Sequence, residues 1–392
     1  MSGMRETEST SNWDVVIVGA GMAGASLAWR LLQPEAGTPL RVLLVERESQ
    51  PGAHSTGRSA AMYMPSYGPP AARALTRASR SFYESPPVGF TDQPLLTPRG
   101  VLYVASPGQG ELMEALHAEL APACAGLQRW DAAATLARAP CLRPDQVMGA
   151  LWDPESTDID VQTLHLGFLR GFRRAGGTVL CNATVAGAQR DAAGLWQLRF
   201  DDGSSVAGRT LVNAAGAWGD VLAGLCGVAP VGLVPRRRSA FTFRAPAGVA
   251  TAGWPAVVGV DEGWYFKPDA GQLLGSPANA DDTVPHDVRP EELDIALGIH
   301  RIEAMTDLQI NRPTATWAGL RSFVPDGELV IGFDDAAPGF FWLVGQGGYG
   351  IQSAAGASAL AAALVCRQPL PGVLVDEGVD ATAMSVQRLR AS

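Results

Sequence analysis

The stretch Asp14-Val15-Val16-Ile17-Val18-Gly19-Ala20-Gly21-Met22-Ala23-Gly24 decides the fold. Val15 to Val18 form an uninterrupted apolar run, as suits a strand covered on both faces of a parallel sheet. Residues 22–33 then read as a helix, closed by Pro34 and Gly37. A second strand over 41–45 leads into Glu46, roughly 20 residues past the last glycine, where a dinucleotide fold keeps its ribose-binding acid. Gly19 makes the tight turn, Gly21 admits a pyrophosphate close to the backbone, and Gly24 lets helix and strand pack together. The helix N-terminus offers free N–H groups and partial positive charge to that pyrophosphate. Glu46 can accept from both ribose hydroxyls and would repel a 2′-phosphate. A glycine-rich turn alone could be mere structure, but strand, helix and acid together imply a bound dinucleotide.

The chain has 392 residues, enough for two or three domain-sized masses, and 47% hydrophobic with 18% charged residues describes a globular protein with a sizeable core. A net charge of −9 argues against a nucleic-acid partner, which would favour a basic face. The five cysteines (Cys124, Cys141, Cys181, Cys226, Cys366) are scattered and show no CxxC spacing. They read as reduced, mostly buried thiols, with no metal framework and a cytoplasmic address, free or peripheral to the inner membrane. Residues 1–12 lack an apolar core and read as a mobile leader. No run reaches the ~18 apolar residues of a membrane span; the Ala-rich stretch 353–366 reads as a buried helix.

Further along, 49–70 reads as ordered loop, and 71–84, 111–120, 161–174 and 290–305 as helices. Strands are expected at 101–105, 178–181, 184–188, 196–200, 205–212 and 340–344, and 235–289 reads as an antiparallel sheet. Ala214-Ala215-Gly216 closes its strand with small residues, suited to close approach of a cofactor. Gly345-Gln346-Gly347-Gly348-Tyr349-Gly350 repeats the GxGxxG spelling, yet only a Pro-interrupted tail follows it. It therefore reads as a second helix N-terminus aimed at the same cofactor. A dinucleotide gripped from both ends of the chain suits a tightly held flavin better than a diffusible nicotinamide.

These motifs, with His54-Ser-Thr-Gly-Arg-Ser-Ala60, Asn213-Ala-Ala-Gly-Ala-Trp218 and Gly319-Leu-Arg-Ser-Phe-Val-Pro-Asp-Gly327, resemble the FAD-dependent D-amino-acid oxidase, glycine oxidase and sarcosine oxidase group. The chain is most similar within it to bacterial D-arginine-type D-amino-acid dehydrogenases, from about Asp14 to the C-terminus. The resemblance implies an α/β fold: a discontinuous Rossmann-type FAD-binding domain (13–85, 145–230 and 315–392) and a substrate domain on a mixed or antiparallel sheet (86–144 and 231–314). It puts the FAD pyrophosphate on Gly19, Gly21, Met22, Ala23 and Gly24, and the ribose on Glu46 with Arg47 beside it. Ser55, Thr56, Arg58, Ser59, Ala60 and Met62 would line flavin and phosphates, and Val185 the adenine, with Ala215 and Gly216 close by. Gly347, Gly348, Tyr349, Gly350, Ile351 and Gln352 would meet the isoalloxazine. The substrate carboxylate would sit between Arg238 and Arg321, with Tyr67, Tyr265 and the Gly348 backbone completing the pocket.

The residues themselves support Arg321 best, since it interrupts a Gly-flanked apolar stretch where a solvated arginine is out of place. Its planar fork suits a bidentate carboxylate. Arg238 stands in Arg236-Arg237-Arg238, which could equally be a charged surface run; strand alternation would turn Arg236 and Arg238 to one face and Arg237 to the other. Tyr265 and Tyr67 could be ordinary half-buried tyrosines, and no histidine shows metal or triad spacing, His54 included. Two departures separate the chain from the D-arginine type. Val101 stands where those enzymes keep an acid for a cationic side chain, and Met62 and Met64 replace a histidine and a smaller polar residue. The resemblance then implies oxidation of apolar D-amino acids to imino acids, which water hydrolyses to 2-oxo acids and ammonia, with non-covalent FAD passing electrons to dioxygen or a quinone-type carrier. Alternatives are a glycine or sarcosine oxidase-like amine oxidase, a 2-hydroxy-acid dehydrogenase, and a flavin-binding subunit whose chemistry lies in a partner.

Overall fold

The computed structural model describes residues 12–37 and 39–390. Two large sheets organise it. The first is eight-stranded, and its centre is the parallel set Thr178–Leu180, Val42–Val45, Asn12–Val18, Ser205–Asn213 and Phe340–Val344. The apolar runs at 15–18, 42–45 and 340–344 are what such strands need, because both faces are covered. One face carries the helices Met22–Leu31, Pro70–Glu84, Val161–Arg174 and Ala354–Cys366, packed through Leu27, Leu75, Phe168 and Leu360. The other face is closed by the antiparallel ribbon Val185–Arg190 with Trp196–Phe200 and by the short helix Gly219–Leu225.

The second sheet has nine strands and is mixed. The long antiparallel pair Val234–Phe243 with Ala315–Phe323 flanks it, and Val101–Ala105 runs parallel to Ala256–Gly259 near its middle. Alternation sorts its side chains. Phe241, Phe243 and Phe266 face the helix Glu292–Met305 through Ile302 and Met305. Val101, Tyr103 and Val258 face the opposite way, toward Met62 and Met64. That second face is the one turned to the cleft between the sheets.

Several expectations are corrected. The first helix ends at Leu31, and Pro34 opens a separate 3₁₀ turn, Pro34–Ala36. Asn12 opens the first strand, while the rest of the expected leader lies outside the described residues. Within the expected loop 49–70, Met62–Tyr63 is a short strand paired antiparallel to Thr157–Ile159. Strands Gly149–Asp153 and Ala315–Phe323, grouped by sequence with the nucleotide-binding segments, hydrogen-bond into the nine-stranded sheet. The partner of Ala315–Phe323 lies far away in sequence, so nothing local announces its membership. After Cys366 no strand follows among the described residues.

Candidate active site

A single elongated cleft runs from the Gly19 turn to Arg321. At one end stands the cradle. Gly19 has φ +105°, and a Cβ there would sit 2.3 Å from the Ala214 carbonyl oxygen. A Cβ on Gly24 would sit 1.9 Å from the Gly19 oxygen, so the turn, the helix and the neighbouring strand end touch through bare backbone. Gly21, Met22 and Ala23 line the cleft at the helix N-terminus. Thr56, expected at the phosphates, also lines the cleft, yet its hydroxyl accepts from Met22 N at 3.0 Å and so caps the helix.

Glu46 is 7% exposed and borders the cleft. Its Oε2 accepts from Ala20 N and its Oε1 from Glu48 N, both at 3.0 Å, which aims the carboxylate and leaves lone pairs for further donors. Val185 lines the cleft beyond it, and Arg47 lies over the Trp218 ring at 4.9 Å. Two histidines that spacing left without a role are built into this end. His165 is buried and its Nε2 donates to the Ala20 oxygen at 2.8 Å, bracing the turn. Burial holds its pKa below the ordinary histidine value, with the Ala20 bond acting the other way. His54 bonds Glu48 at 2.9 Å and packs 4.8 Å from Trp218. No sequence signal links His165 to Ala20 or His54 to Trp218.

The middle of the cleft is walled by Ser55, Arg58, Ser59 and Ala60 on one side and by Ala215 and Gly216 on the other. The Ser55 hydroxyl donates to the Leu320 oxygen at 2.7 Å. The Arg58 guanidinium donates to the Val288 and Ala318 oxygens and pairs with Asp287. Arg58 is therefore satisfied by protein and ties the loop 55–60 to the strand Ala315–Phe323. From the chain's other end, Gly347, Gly348, Gly350 and Ile351 line the cleft, and Gly347 N donates to the Ser322 oxygen at 2.9 Å.

Arg238, Tyr265 and Arg321 close the far end. Strand alternation separates the arginine run as expected. Arg237 turns to the helix Glu292–Met305 and pairs with Asp294 and Glu291, whereas Arg238 and Ala240 turn to the cleft. Arg236 shares the cleft-side face and stands opposite Arg321, but it lies at the sheet's end, paired with Asp282. Arg238 Nε donates to the Asn279 oxygen at 2.6 Å, and Arg321 Nη1 donates to the Tyr67 hydroxyl at 3.4 Å. Neither guanidinium meets a carboxylate among the described residues. Burial, then the charge of Arg321, pulls the Arg238 pKa below its ordinary value. Burial works against the Arg321 charge too, but the oxygens of Tyr67 and Tyr265 outweigh it and raise its pKa. Two like charges held together with no carboxylate in contact make a site for an anion.

Seven expected residues do not line the cleft: Gly24 stands behind the Gly19 turn, Tyr67 reaches the site only through its hydroxyl on Arg321, and five more lie within the walls. Val101 is fully buried between its neighbouring strands, so no ligand meets it directly. Met62 and Met64 are half-buried and pack on the same apolar cluster. Tyr349 packs its ring against Tyr67 at 5.4 Å, and burial pushes its phenol up to about 12. The Gln352 amide is spent on Met64 N and the Tyr67 oxygen.

A cradle that excludes side chains, a buried acid aimed beside it and a long cleft ending in paired arginines suit a dinucleotide whose reactive end meets an anionic substrate. The model of the FAD dependent oxidoreductase (DAO) family matches residues 14–364, and the chain belongs to that family. FAD is its cofactor. Glycine oxidase from Geobacillus kaustophilus shares the fold, with a TM-score of 0.81 at 22% identity over 97% of this chain and 99% of that one. L-alpha-glycerophosphate oxidase from Mycoplasma pneumoniae, solved with FAD bound, gives 0.81 at 19% identity over 91% and 95%. L-2-hydroxyglutarate dehydrogenase of Salmonella houtenae is 27% identical over 229 residues, 56% of this chain and 51% of that protein. The chain thus spans about half the length of the curated relatives it matches, and these are named for a 2-hydroxy acid rather than a D-amino acid.

Proposed function

We propose that this flavoprotein oxidises small D-amino acids with apolar side chains to 2-oxo acids and ammonia. The observation that carries the reading is the pair Arg238 and Arg321, facing one cleft with no carboxylate of their own. In this reading they grip the substrate carboxylate, Tyr67 and Tyr265 orient it, and the Gly348 backbone closes the pocket. Positioning is the chain's main contribution to rate. FAD, held along the cleft by this chain, would supply the two-electron acceptor. A hydride equivalent leaves Cα, a proton leaves the nitrogen, and water hydrolyses the resulting imino acid. Glu46, the cradle glycines and the loop 55–60 hold the cofactor without a covalent bond, in keeping with a cleft lining free of cysteine among the described residues.

The apolar preference is supported by what surrounds Tyr265. Its strand alternates, so Lys267 shares its face, and the Lys267 ammonium pairs with Asp158 at 2.7 Å. Asp158 also pairs with Arg99, and the buried Asp153 accepts from Ser156 and from Glu155 N. These acids are engaged, and Met62, Met64, Tyr103 and Val258 form the apolar layer packed behind this part of the cleft. Glu262, whose charge reaches Arg238 and Tyr103, is the acid against which this preference must be tested.

A second reading, oxidation of a 2-hydroxy acid, is favoured by the names of the curated relatives. Incubation with D-leucine and a redox dye tests between them. One ammonia per 2-oxo acid is expected; turnover of 2-hydroxyglutarate without ammonia, and none of D-leucine, sinks the proposal. Reoxidation by air against a quinone analogue then identifies the acceptor.

A further inference from the structure

Gln352 follows the glycine-rich turn 345–350 and precedes the helix Ala354–Cys366. The residue is 3% exposed, and both ends of its amide serve one short segment. Oε1 accepts from Met64 N, and Nε2 donates to the Tyr67 oxygen, each at 3.2 Å. Tyr67 N in turn donates to the Met64 oxygen at 3.1 Å. Residues 64–67 therefore form a turn that a single amide closes from outside. Tyr349 holds the Tyr67 ring edge-on, and Gly68, at φ +104°, passes where a Cβ would lie 2.8 Å from the Tyr349 ring. The far end of the same tyrosine is the hydroxyl on Arg321.

We propose that Gln352 is a positioning residue acting through Tyr67: it fixes the turn 64–67 so that the Tyr67 hydroxyl completes the carboxylate pocket with Arg321, and it does not itself hold the cofactor. The proposal rests on the carboxylate reading above. The physical reason is the reach of the last bond. At 3.4 Å the Tyr67–Arg321 contact is already long, and a small relaxation of the turn breaks it. Without the amide, Met64 N–H and Tyr67 C=O lose their partner while largely enclosed, and the turn opens toward water to recover one.

The test compares the holoenzyme with Gln352→Leu, Tyr67→Phe and the double variant. Amide exchange at Met64 and Tyr67 needs no substrate and should quicken by about tenfold or more in Gln352→Leu. The FAD Kd should change by less than about twofold, whereas the Kd of benzoate, an unreactive carboxylate read from the flavin spectrum, should rise about tenfold. KM should follow benzoate while kcat moves little. In the Tyr67→Phe background the Gln352 substitution should add almost nothing, because the two residues form one unit. Unchanged exchange, FAD affinity lost in step with benzoate, or additive effects in the cycle each overturn the proposal. A wild type that binds no benzoate, with the exchange effect intact, supports the closure of the turn and sinks the carboxylate reading.

Discussion

Arg321→Met is the sharpest perturbation of the proposed pocket. Arg321 stands on the strand Ala315–Phe323 with one polar contact of its own, the long bond to Tyr67, so its removal orphans only a hydroxyl. The substrate carboxylate loses two charge-assisted bonds in a largely desolvated place, at roughly 3–5 kcal/mol together. At about 1.4 kcal/mol per decade, kcat/KM falls roughly 10²- to 10³-fold or more. Folding should not suffer, because the like charge that depresses Arg238 disappears with it. FAD content should stay near normal, since Gly347 N and the cradle hold their own partners. The assay is dye-coupled turnover with FAD quantified by absorbance and thermal melts run in parallel. A kcat/KM close to wild type in an FAD-loaded variant would refute the reasoning. Arg238→Met should lose less, since Arg321 still offers its fork.

Gly24→Ala places a methyl 1.9 Å from the Gly19 oxygen, so the helix must retreat from the turn; protein recovered should be colourless, and a normally yellow variant contradicts the cradle. His165 has a folded pKa below that of the unfolded chain, so its contribution is intact above about pH 6.5 and is lost as pH falls below it. Melting curves between pH 5 and 7 should show a shallower acid loss in His165→Gln than in wild type; parallel curves refute this. Val101→Glu buries a carboxylate directly across from Asp153, so it should lower Tm sharply instead of recruiting D-arginine, and a stable D-arginine-selective variant would reverse that conclusion. Acid precipitation should leave FAD in the supernatant, and flavin retained on the pellet would show a covalent bond.

What the sequence disclosed was local. The cradle, its helix and Glu46 are legible because strand, glycines and acid follow one another within a single unit, and each answers to backbone geometry. The strand Ala315–Phe323 escaped because its pattern is faint: Ala318, Leu320 and Ser322 are buried, but glycine and arginine occupy the facing side. Its strandedness comes from the long partner Val234–Phe243. Arg238 was ambiguous for a like reason, since only Asp294 and Glu291 on a distant helix reveal which arginine of the run is structural. Val101 shows the opposite hazard: resemblance carried it to the pocket, while close strand packing keeps it inside the wall. Gln352 and His165 act through a loop and a carbonyl far away in sequence, which no spacing rule reaches.

In the proposed function the paired arginines present an apolar D-amino acid to the flavin. Anaerobic mixing of the holoenzyme with D- and L-leucine, D-methionine, D-phenylalanine, D-arginine, glycine and L-2-hydroxyglutarate, followed by flavin absorbance, tests it most directly. Rapid bleaching by the apolar D-amino acids, weak bleaching by D-arginine and none by L-leucine is expected. Bleaching by L-2-hydroxyglutarate alone, or fastest by D-arginine, would contradict it.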